Sequence, residues 1–404
     1  MIPFSPPRID EKIIQAVADT LRSGWITTGP RTKQFEKELT AYCGNKATLC
    51  LNSATAGLEI MLRWFGVKEG DEVILPAYTY SATANVVIHC GAKPVFVDVN
   101  ADDFNIAVAA IEKAITAKTK VVMPVDFGGW PCDYDAINAL VRNSKLFKAE
   151  TEEQKKLGRI LVLSDAAHSV GAIYKRKKTG SLTDVSVFSF HAVKNLTTAE
   201  GGAIALNLPA PFDNEEIYRA LCVKTLHGQD KDALAKTQKG NWKYDIVEAG
   251  YKCNMTDIMA AIGLVELERY DKDMLVRREK IVDQYNWTLS AYSWAELPTM
   301  KTADCFSSCH LYPLRIKGIS EQERDAIIQK IFDKDVSVNV HFIPVPMMSF
   351  YKKLGYDIKN YPVTYNNFSR EISLPVYYDL SDARVKMVLE AVVTSVHEVI
   401  GAKQ

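Results

Sequence analysis

The sequence predicts an α/β protein, with a large domain built on a mostly parallel sheet of seven strands and a smaller C-terminal α+β domain. Seven apolar segments of strand length lie between residues 47 and 206, and helical periodicity fills several of the intervals between them. Strands that alternate with helices typically form a parallel sheet with helices on both faces. At 404 residues the chain also exceeds what one hydrophobic core usually supports, so two domains are expected.

The elements of the large domain can be assigned in chain order. Asp10 is suited to cap a first helix, and Gly24 marks the end of that helix. Helical periodicity then covers Gly57–Phe65 and Ala82–His89, between the early strands. The predicted strands are Ala47–Leu51, Glu72–Leu75, Pro94–Val99, Lys120–Val125, Ile160–Leu163, Val185–Phe190 and Ala203–Leu206.

A change of composition after a long amphipathic helix separates the two domains. This helix begins near Thr256 and continues toward Tyr285, and we expect the boundary inside it, which gives domains 1–270 and 271–404. The remaining predicted elements are a solvated insertion at Lys145–Arg159, a helix with a capping box formed by Ser320 and Glu323, a strand at Val336–Phe342 and a final helix at Asp382–Ile400.

The composition and charge of the chain exclude several classes of protein. The 49 basic and 49 acidic residues balance, which argues against a nucleic-acid or anionic-membrane surface. The apolar runs are shorter than the ~20 residues of a membrane helix, and the N-terminal residues lack the pattern of a secretory signal. The eight scattered cysteines fit reduced thiols in the cytoplasm. Cys305 and Cys309 beside His310 have no second pair, so no metal site is expected.

Two strand ends carry the residue types that pyridoxal phosphate chemistry requires. The segment DVSVFSFHAVKNLTTAEGGAIAL places Lys194 just after the strand that ends near Ser189, and the preceding strand delivers Asp165 and His168. A lysine amine can form a Schiff base with this cofactor, and a carboxylate can face its pyridine nitrogen. We therefore predict a pyridoxal-phosphate enzyme with Lys194 and Asp165 as catalytic residues. Taken alone, Asp165 could instead cap a helix, and His168 could satisfy a backbone carbonyl.

Further candidate cofactor contacts follow other strands. The turn NSATAG comes after the first strand, and its small residues, including Ala54 and Thr55, begin a helix whose free N–H groups and dipole favour a phosphate. An ordinary N-cap explains this turn equally well. Ser189 either supplies a second hydroxyl or is a partly buried strand residue. The ring of Tyr80, just after a strand end, could stack on the pyridine or belong to the core.

Nearly the whole chain resembles the DegT/DnrJ/EryC1/StrS family of sugar-nucleotide aminotransferases, which have the aspartate-aminotransferase fold, fold type I of the pyridoxal-phosphate-dependent transferases. The similar segments are GWITTGPRTKQFE, NSATAG, SDAAHSVGA, SFHAVKNLTTAEGG, GYKCNMTDIMAAIGLVELER, VHFIP and SLPVYYDLS. Within the family, SDAAH and SFHAVKN are most similar to the segments of enzymes that aminate UDP-linked 4-keto sugars, including the 4-amino-arabinose branch.

The resemblance implies a role for each candidate site residue. Lys194 would bind the cofactor covalently and later carry the proton, while Asp165 would keep the pyridine nitrogen protonated. Asn254 would reach the phosphate of the neighbouring subunit's cofactor, which implies a homodimer with shared active sites. The remaining implied roles are phosphate binding by Ala54, Thr55 and Ser189, ring stacking by Tyr80, contact beneath the ring by His168, and lining of the sugar pocket by Thr28, Gly29 and His341.

The implied reaction transfers the amino group of glutamate to a nucleotide-linked keto sugar in two half-reactions and makes an amino sugar for a surface polysaccharide or glycan. A sugar dehydratase of the same family is one alternative. It would carry a histidine in place of Lys194, and His191 lies nearby. A non-catalytic regulatory relative is another, and it would be expected to lose Lys194 or Asp165. The chain departs from the family at Pro346, where many relatives have a histidine, and in the length of the Lys145–Arg159 insertion.

Overall fold

The computed structural model describes residues 1–231 and 243–401, and these ranges contain one sheet of seven strands and two sheets of three strands each. In chain order the strands are β1 (Ala47–Leu51), β2 (Glu72–Pro76), β3 (Lys93–Val97), β4 (Thr119–Val122), β5 (Leu161–Asp165), β6 (Ile173–Tyr174), β7 (Lys177–Lys178), β8 (Val185–Ser189), β9 (Gly202–Leu206), β10 (Ala295–Glu296), β11 (Cys305–Phe306), β12 (Tyr312–Ile316) and β13 (Glu371–Leu374). The large sheet has the order β1–β9–β8–β5–β4–β2–β3, and the small sheets have the orders β10–β12–β13 and β11–β6–β7.

The large sheet is mostly parallel, as predicted. β9 runs antiparallel to β1 and β8, whereas the pairs β8–β5, β5–β4, β4–β2 and β2–β3 are parallel. Every residue of β1, β4, β5, β8 and β9 is buried, as expected for strands that are covered on both faces. In the register of β5 and β8, Asp165 lies opposite Val187, so the C-terminal ends of these two strands meet at one edge of the sheet.

Helices cover the large sheet and build most of the C-terminal part. In the described ranges they are α1 (Glu11–Arg22), α2 (Pro30–Cys43), α3 (Ala54–Trp64), α4 (Ser81–His89), α5 (Val108–Ala114), α6 (Tyr134–Asn143), α7 (Glu152–Leu157), α8 (Asn214–Lys224), α9 (Asp257–Arg269), α10 (Leu275–Leu289), α11 (Glu321–Phe332), α12 (Ser349–Lys353), α13 (Pro362–Phe368) and α14 (Asp382–Ile400). Asp10 caps α1, and Ser320 with Glu323 forms the predicted capping box of α11. No helix among the described residues is both long and apolar enough to cross a bilayer.

The apolar core is divided between the sheet and the C-terminal part. α3 and α4 cover one face of the large sheet through residues such as Leu62 and Val86, and α2 and α9 cover the other face through Phe35 and Leu264. A separate core lies among α10, α11, α14 and the sheet of β10, β12 and β13. The C-terminal part of the chain therefore has an apolar core of its own.

A π-helical turn at Tyr270–Met274 joins α9 to α10 and interrupts the long helix expected from Thr256 toward Tyr285. We propose that the two domains meet at this turn, close to residue 270, because α9 packs on the large sheet while α10 packs in the C-terminal core. The first residues of the chain are an exception to this division, since Ile2 belongs to the C-terminal core and pairs with Val336.

Two sequence predictions outside this framework are wrong. The strand predicted at Val336–Phe342 does not form, because the segment makes isolated bridges, first to the N-terminal residues and then to β13, instead of a ladder with one neighbour. The Lys145–Arg159 insertion is not simply solvated, because it contains α7. The amide of Gln154 in this helix is fully buried and donates to the backbone oxygen of Phe65 at 2.9 Å.

Candidate active site

A cavity of about 390 Å³ opens where the C-terminal ends of β5 and β8 and the loop after β2 face the C-terminal part of the chain. Eight of the predicted site residues line it, namely Ala54, Thr55, Tyr80, Asp165, His168, Ser189, Lys194 and His341. They reach the cavity from the starts of α3 and α4, the ends of β5 and β8, and the segment before α12. The fold therefore brings together residues that are far apart in the sequence.

Lys194 lies in the loop between β8 and β9, and backbone hydrogen bonds fix this loop. The N–H of Phe190 donates to Gly201 O at 2.9 Å, and the N–H of Lys194 donates to His191 O at 2.9 Å. Within the described ranges, no side chain forms a hydrogen bond with the Lys194 amine. Burial lowers the pKa of this amine to about 8, and the negative charge of Asp165 opposes that shift. A substantial fraction of the amine is therefore neutral near pH 8 and able to act as a nucleophile.

Asp165 ends β5, and its carboxylate is buried and held by two donors. Oδ2 accepts a hydrogen bond from the hydroxyl of Thr83 at 2.8 Å, and Oδ1 accepts one from the N–H of Ala167 at 3.2 Å. Burial raises the pKa of Asp165, while these two hydrogen bonds and the charge of Lys194 lower it. Each oxygen keeps a lone pair for a further donor in the cavity, as a protonated pyridine nitrogen would be.

The start of α3 fits an anion. The Ser53 hydroxyl caps the helix by accepting a backbone N–H at 3.1 Å, so the ordinary N-cap role is also present. The N–H groups of Ala54 and Thr55 belong to the first turn, which has no intrahelical acceptor for them, and both residues line the cavity. β9 approaches so closely that a Cβ atom at Gly202 would lie 2.4 Å from the Ala54 nitrogen. With the Ser189 hydroxyl in the same wall, this helix start can hold a phosphate.

Tyr80 stands at the rim of the cavity rather than in the core. Its side chain is 61% exposed, which excludes the core-tyrosine interpretation, and it precedes the first residue of α4. Its ring centroid lies 5.7 Å from that of Phe342, which also lines the cavity. A flat ligand bound here would therefore contact aromatic rings from both parts of the chain.

His168 is a neutral ring whose tautomer follows from its contacts. The backbone N–H of Gly128 donates to His168 Nδ1 at 3.2 Å, so the ring proton must lie on Nε2. Burial lowers the pKa of His168 well below its usual value, and the positive charge of Lys194 adds to this shift. His168 therefore offers a neutral N–H donor to a ligand, and the interpretation that it satisfies a backbone carbonyl through Nδ1 does not hold.

Three predicted residues, Asn254, Thr28 and Gly29, lie outside the wall of this cavity. They form one group beside the end of β1: the Asn254 amide donates to the Thr28 hydroxyl at 2.5 Å, and the N–H of Gly29 donates to Asp257 Oδ1 at 2.8 Å. Asn254 also pairs with Leu51 as an isolated bridge. A direct contact between these residues and a ligand in the cavity of the same chain is therefore not supported.

The structure adds residues that the sequence analysis missed. His310, considered only as a weak metal ligand, lines the cavity; its Nδ1 lies 2.8 Å from Asn195 Oδ1, and its ring centroid lies 4.3 Å from that of His168. Phe4 reaches the cavity from the N-terminus and stacks on His341 at 5.3 Å. No local sequence pattern identifies either His310 or Phe4 as a cavity residue. Among the described residues, no group of three or more His, Cys, Asp and Glu side chains could hold a metal ion.

Comparison with known proteins identifies the family. A model of the DegT/DnrJ/EryC1/StrS aminotransferase family matches residues 7–393. The chain belongs to this family. It is 48% identical to Spr1654 of Streptococcus pneumoniae, named as a candidate sugar aminotransferase and solved in its PMP form, with a TM-score of 0.95 over 99% of this chain and 100% of that one.

More distant members agree with this assignment. The chain is 39% identical to SpsC of Bacillus subtilis, a spore coat polysaccharide biosynthesis protein, over 97% of this chain and 96% of SpsC. It is 27% identical to Helicobacter pylori PseC, an aminotransferase involved in the biosynthesis of pseudoaminic acid, with a TM-score of 0.85 over 98% of this chain and 99% of that one. The predicted family and its fold, fold type I of the pyridoxal-phosphate-dependent transferases, are confirmed. The chain is a sugar aminotransferase family member.

Proposed function

We propose that this DegT/DnrJ/EryC1/StrS family member transfers the amino group of glutamate to the keto carbon of a nucleotide-linked sugar, with a UDP-4-keto-deoxy sugar as the preferred acceptor. The observation that carries the proposal is the pairing of the Lys194 amine and the Asp165 carboxylate in one cavity with an anion-binding helix start. The names of SpsC and PseC, which concern a coat polysaccharide and pseudoaminic acid, support a product used in a surface polysaccharide or glycan.

The cofactor is pyridoxal phosphate, as predicted, and Spr1654 has been solved in both PLP and PMP forms. The residues of this chain fit it: the α3 start and Ser189 would hold the phosphate, Asp165 would face the ring nitrogen, and Lys194 would bind covalently. When bound, the cofactor withdraws electrons from the reacting carbon of the substrate.

The side chains of this protein then have distinct tasks. The Asp165 carboxylate would keep a proton on the ring nitrogen, a charge-assisted hydrogen bond that is strong in a buried site. Lys194, once released, would remove a proton from the substrate carbon and deliver it to the cofactor carbon on the other side of the transferred nitrogen, which requires the neutral amine that burial favours. The N–H on His168 Nε2 would donate to an oxygen beside the ring. The apolar side chains of Phe4 and Phe342 in the wall would exclude water from these steps.

We further propose that the protein acts as a homodimer in which Asn254, with Thr28 and Gly29, completes the cavity of the partner. Asn254 and Thr28 are bonded to each other and only partly buried, and large apolar side chains close to them in the sequence, Ile26 and Tyr251, are exposed. A partner subunit that packs here would cover these apolar side chains.

The two alternative functions are less well supported. A sugar dehydratase would need a histidine in place of the lysine, and here Lys194 lies in the cavity wall within reach of the charge of Asp165. His191 lines the same cavity, but its Nε2 lies 3.6 Å from the Glu200 carboxylate. A regulatory relative would not be expected to keep a free, depressed-pKa amine beside a buried carboxylate.

Incubation with ¹⁵N-glutamate and a panel of UDP- and dTDP-linked keto sugars tests the proposed reaction. Mass spectrometry should find ¹⁵N in the sugar product, and 2-oxoglutarate should form in an amount equal to that product. Lys194→Ala should form neither product. Turnover of the sugar without nitrogen incorporation would favour the dehydratase. Normal nitrogen transfer by Lys194→Ala would contradict the mechanism.

A further inference from the structure

A buried carboxylate lies behind His341, on the side of the cavity that the C-terminal part forms. Glu371 begins β13 and is fully buried. Its Oε2 accepts the backbone N–H of His341 at 3.1 Å, and its Oε1 accepts a hydrogen bond from the hydroxyl of Ser373. The Ser373 oxygen lies 2.9 Å from His341 Nδ1. Glu371, Ser373 and His341 therefore form a continuous chain of hydrogen bonds that ends at the cavity.

Among the described residues, no arginine or lysine side chain forms a salt bridge with this carboxylate. The two nearby arginines have other partners, since Arg315 pairs with Glu296 at 2.7 Å and Arg324 pairs with Asp325 at 2.7 Å. Arg324 touches Glu371 through the backbone oxygen, at 3.3 Å. In the part of the chain that the structure describes, the side-chain oxygens of Glu371 instead hold the His341 segment and Ser373.

The direction of the hydrogen bonds depends on the charge of Glu371, because a serine hydroxyl has a single proton. When Glu371 is ionised, Ser373 donates to it, so His341 Nδ1 must carry a proton and donate to Ser373, and Nε2 is left with a lone pair. When Glu371 is protonated on Oε1, it donates to Ser373, which then donates to Nδ1, and Nε2 carries the proton. The ring of His341 is neutral in both cases, because burial and the charge of Lys194 lower its pKa to about 3.

We propose that Glu371 and Ser373 are positioning residues that set the tautomer of His341, and thereby decide whether Nε2 donates or accepts a hydrogen bond toward the acceptor sugar. His341 lines the cavity, no described residue bonds to its Nε2, and Phe4 stacks on the ring, so its orientation is fixed. The assignment of the sugar as the partner of Nε2 rests on the proposed function, whereas the role of Glu371 and Ser373 in setting the tautomer does not.

The electrostatic surroundings of Glu371 allow both of its charge states. Burial raises its pKa to about 8, in spite of the hydrogen bonds from Ser373 and the His341 N–H and the charges of Arg324 and Arg315, which act in the opposite direction. Tyr78 also faces it, and the pKa of Tyr78 is raised well above its usual value by burial and by Glu371, so this group stays neutral. We therefore expect the Nε2–H form of His341 below pH 8 and the Nδ1–H form above it.

Glu371→Gln gives a defined outcome because glutamine has the same shape. Its amide oxygen must accept the His341 N–H, so its NH₂ group must donate to Ser373, and the serine must donate to Nδ1. The variant is therefore locked in the Nε2–H form at every pH. Ser373→Ala removes the link instead and leaves the tautomer independent of Glu371.

Nitrogen chemical shifts of ¹⁵N-histidine-labelled holoenzyme measure the tautomer directly. The chain has seven histidines, and His341→Gln identifies the signal to follow. At pH 9 the wild type should show Nδ1–H and Glu371→Gln should show Nε2–H, while both should show Nε2–H at pH 6.5. Glu36→Gln, which removes a buried carboxylate in α2, should behave as wild type. The same tautomer at pH 9 in the wild type and in both the Glu371→Gln and Ser373→Ala variants would overturn the proposal.

Kinetics with the sugar supply a second test. At each pH, KM for the sugar in Glu371→Gln is divided by KM in the wild type. This ratio should change about tenfold from pH 6.5 to pH 9, because one hydrogen bond to the sugar is mismatched at only one of the two pH values. The change in kcat should be smaller. A constant ratio would contradict a contact between Nε2 and the sugar. If no keto sugar is aminated at all, the proposed function fails, and the tautomer measurement still decides the role of Glu371 and Ser373.

Discussion

The hydroxyl of Thr83 donates a hydrogen bond to Asp165 Oδ2 at 2.8 Å, across 82 positions of the sequence. Thr83 lies in the first turn of α4 and is fully buried, and its oxygen also lies 2.8 Å from the hydroxyl of Thr79. The N–H of Ala167 holds the other carboxylate oxygen. The orientation of the Asp165 carboxylate in the cavity is thus determined jointly by β5 and by the helix that follows β2.

Thr83→Val should impair the enzyme although Thr83 does not react. The variant keeps the shape and removes the donor, so Asp165 is held by one hydrogen bond fewer and its pKa rises further. Loss of a hydrogen bond to a charged group costs about 1.5–3 kcal/mol, so the glutamate half-reaction should slow about 10- to 100-fold. Single-turnover absorbance measures this rate. Thr83→Ser restores the hydroxyl and should recover most of it; equal rates in the two variants would show that Thr83 only fills space.

The strands of the large sheet could be predicted from the sequence, and the contacts between distant elements could not. Each predicted strand between residues 47 and 206 overlaps an observed one, because a buried strand is a short apolar run with clear boundaries. The residues near these strand ends include most of the predicted residues that line the cavity. Thr83 and Glu371 act through side-chain hydrogen bonds to elements 82 and 30 positions away, which leave no periodic signal. The segment before Phe342 alternates like a strand but changes partners along its length.

Asp165→Asn should keep the fold and the covalent attachment of the cofactor, yet slow both half-reactions by several orders of magnitude. An amide can hydrogen-bond to the ring nitrogen, but it does not stabilise the protonated ring, and charge-assisted bonds are roughly twice as strong as neutral ones. The glutamate half-reaction followed by absorbance needs no knowledge of the sugar. If its rate is unchanged, Asp165 has no electronic role and only holds the loop that follows β5.

The covalent attachment of pyridoxal phosphate to Lys194 should depend on pH with a midpoint of about 8, not at the ordinary 10.5 of a lysine. Burial favours the neutral amine, so the reactive form is lost as the pH falls through the lowered pKa and is complete above it. Stopped-flow absorbance of cofactor-free protein mixed with the cofactor gives the rate at each pH, and Lys194→Ala should show no attachment.

Asp165→Asn provides a second test of this pH dependence. The negative charge of Asp165 raises the pKa of Lys194, so its removal should move the midpoint to lower pH. A midpoint above pH 10 in the wild type would show that the amine is solvated rather than buried, and a shift to higher pH in Asp165→Asn would show that the charge of Asp165 does not act on it.

Asn254→Ala should weaken cofactor binding in the partner's cavity, because Asn254 lies outside the cavity of its own chain. Its position beside Thr28 also allows a purely local role, since its amide donates to the Thr28 hydroxyl. Mixed dimers distinguish the two roles. In a dimer of one Lys194→Ala chain and one Asn254→Ala chain, a shared site places both lesions in one cavity and leaves the other intact, so about half of the wild-type activity should return.

The reciprocal dimer provides the matched control for this experiment. When one wild-type chain pairs with a chain that carries both Lys194→Ala and Asn254→Ala, a shared site distributes one lesion to each cavity, and activity should stay low. If Asn254 serves its own chain, the two results exchange: the activity of the first dimer stays low, and the second keeps half of the activity because its wild-type cavity is intact. Differential tags isolate each mixed dimer, and light scattering verifies the dimer mass. A monomeric, fully active protein would rule out the shared site directly.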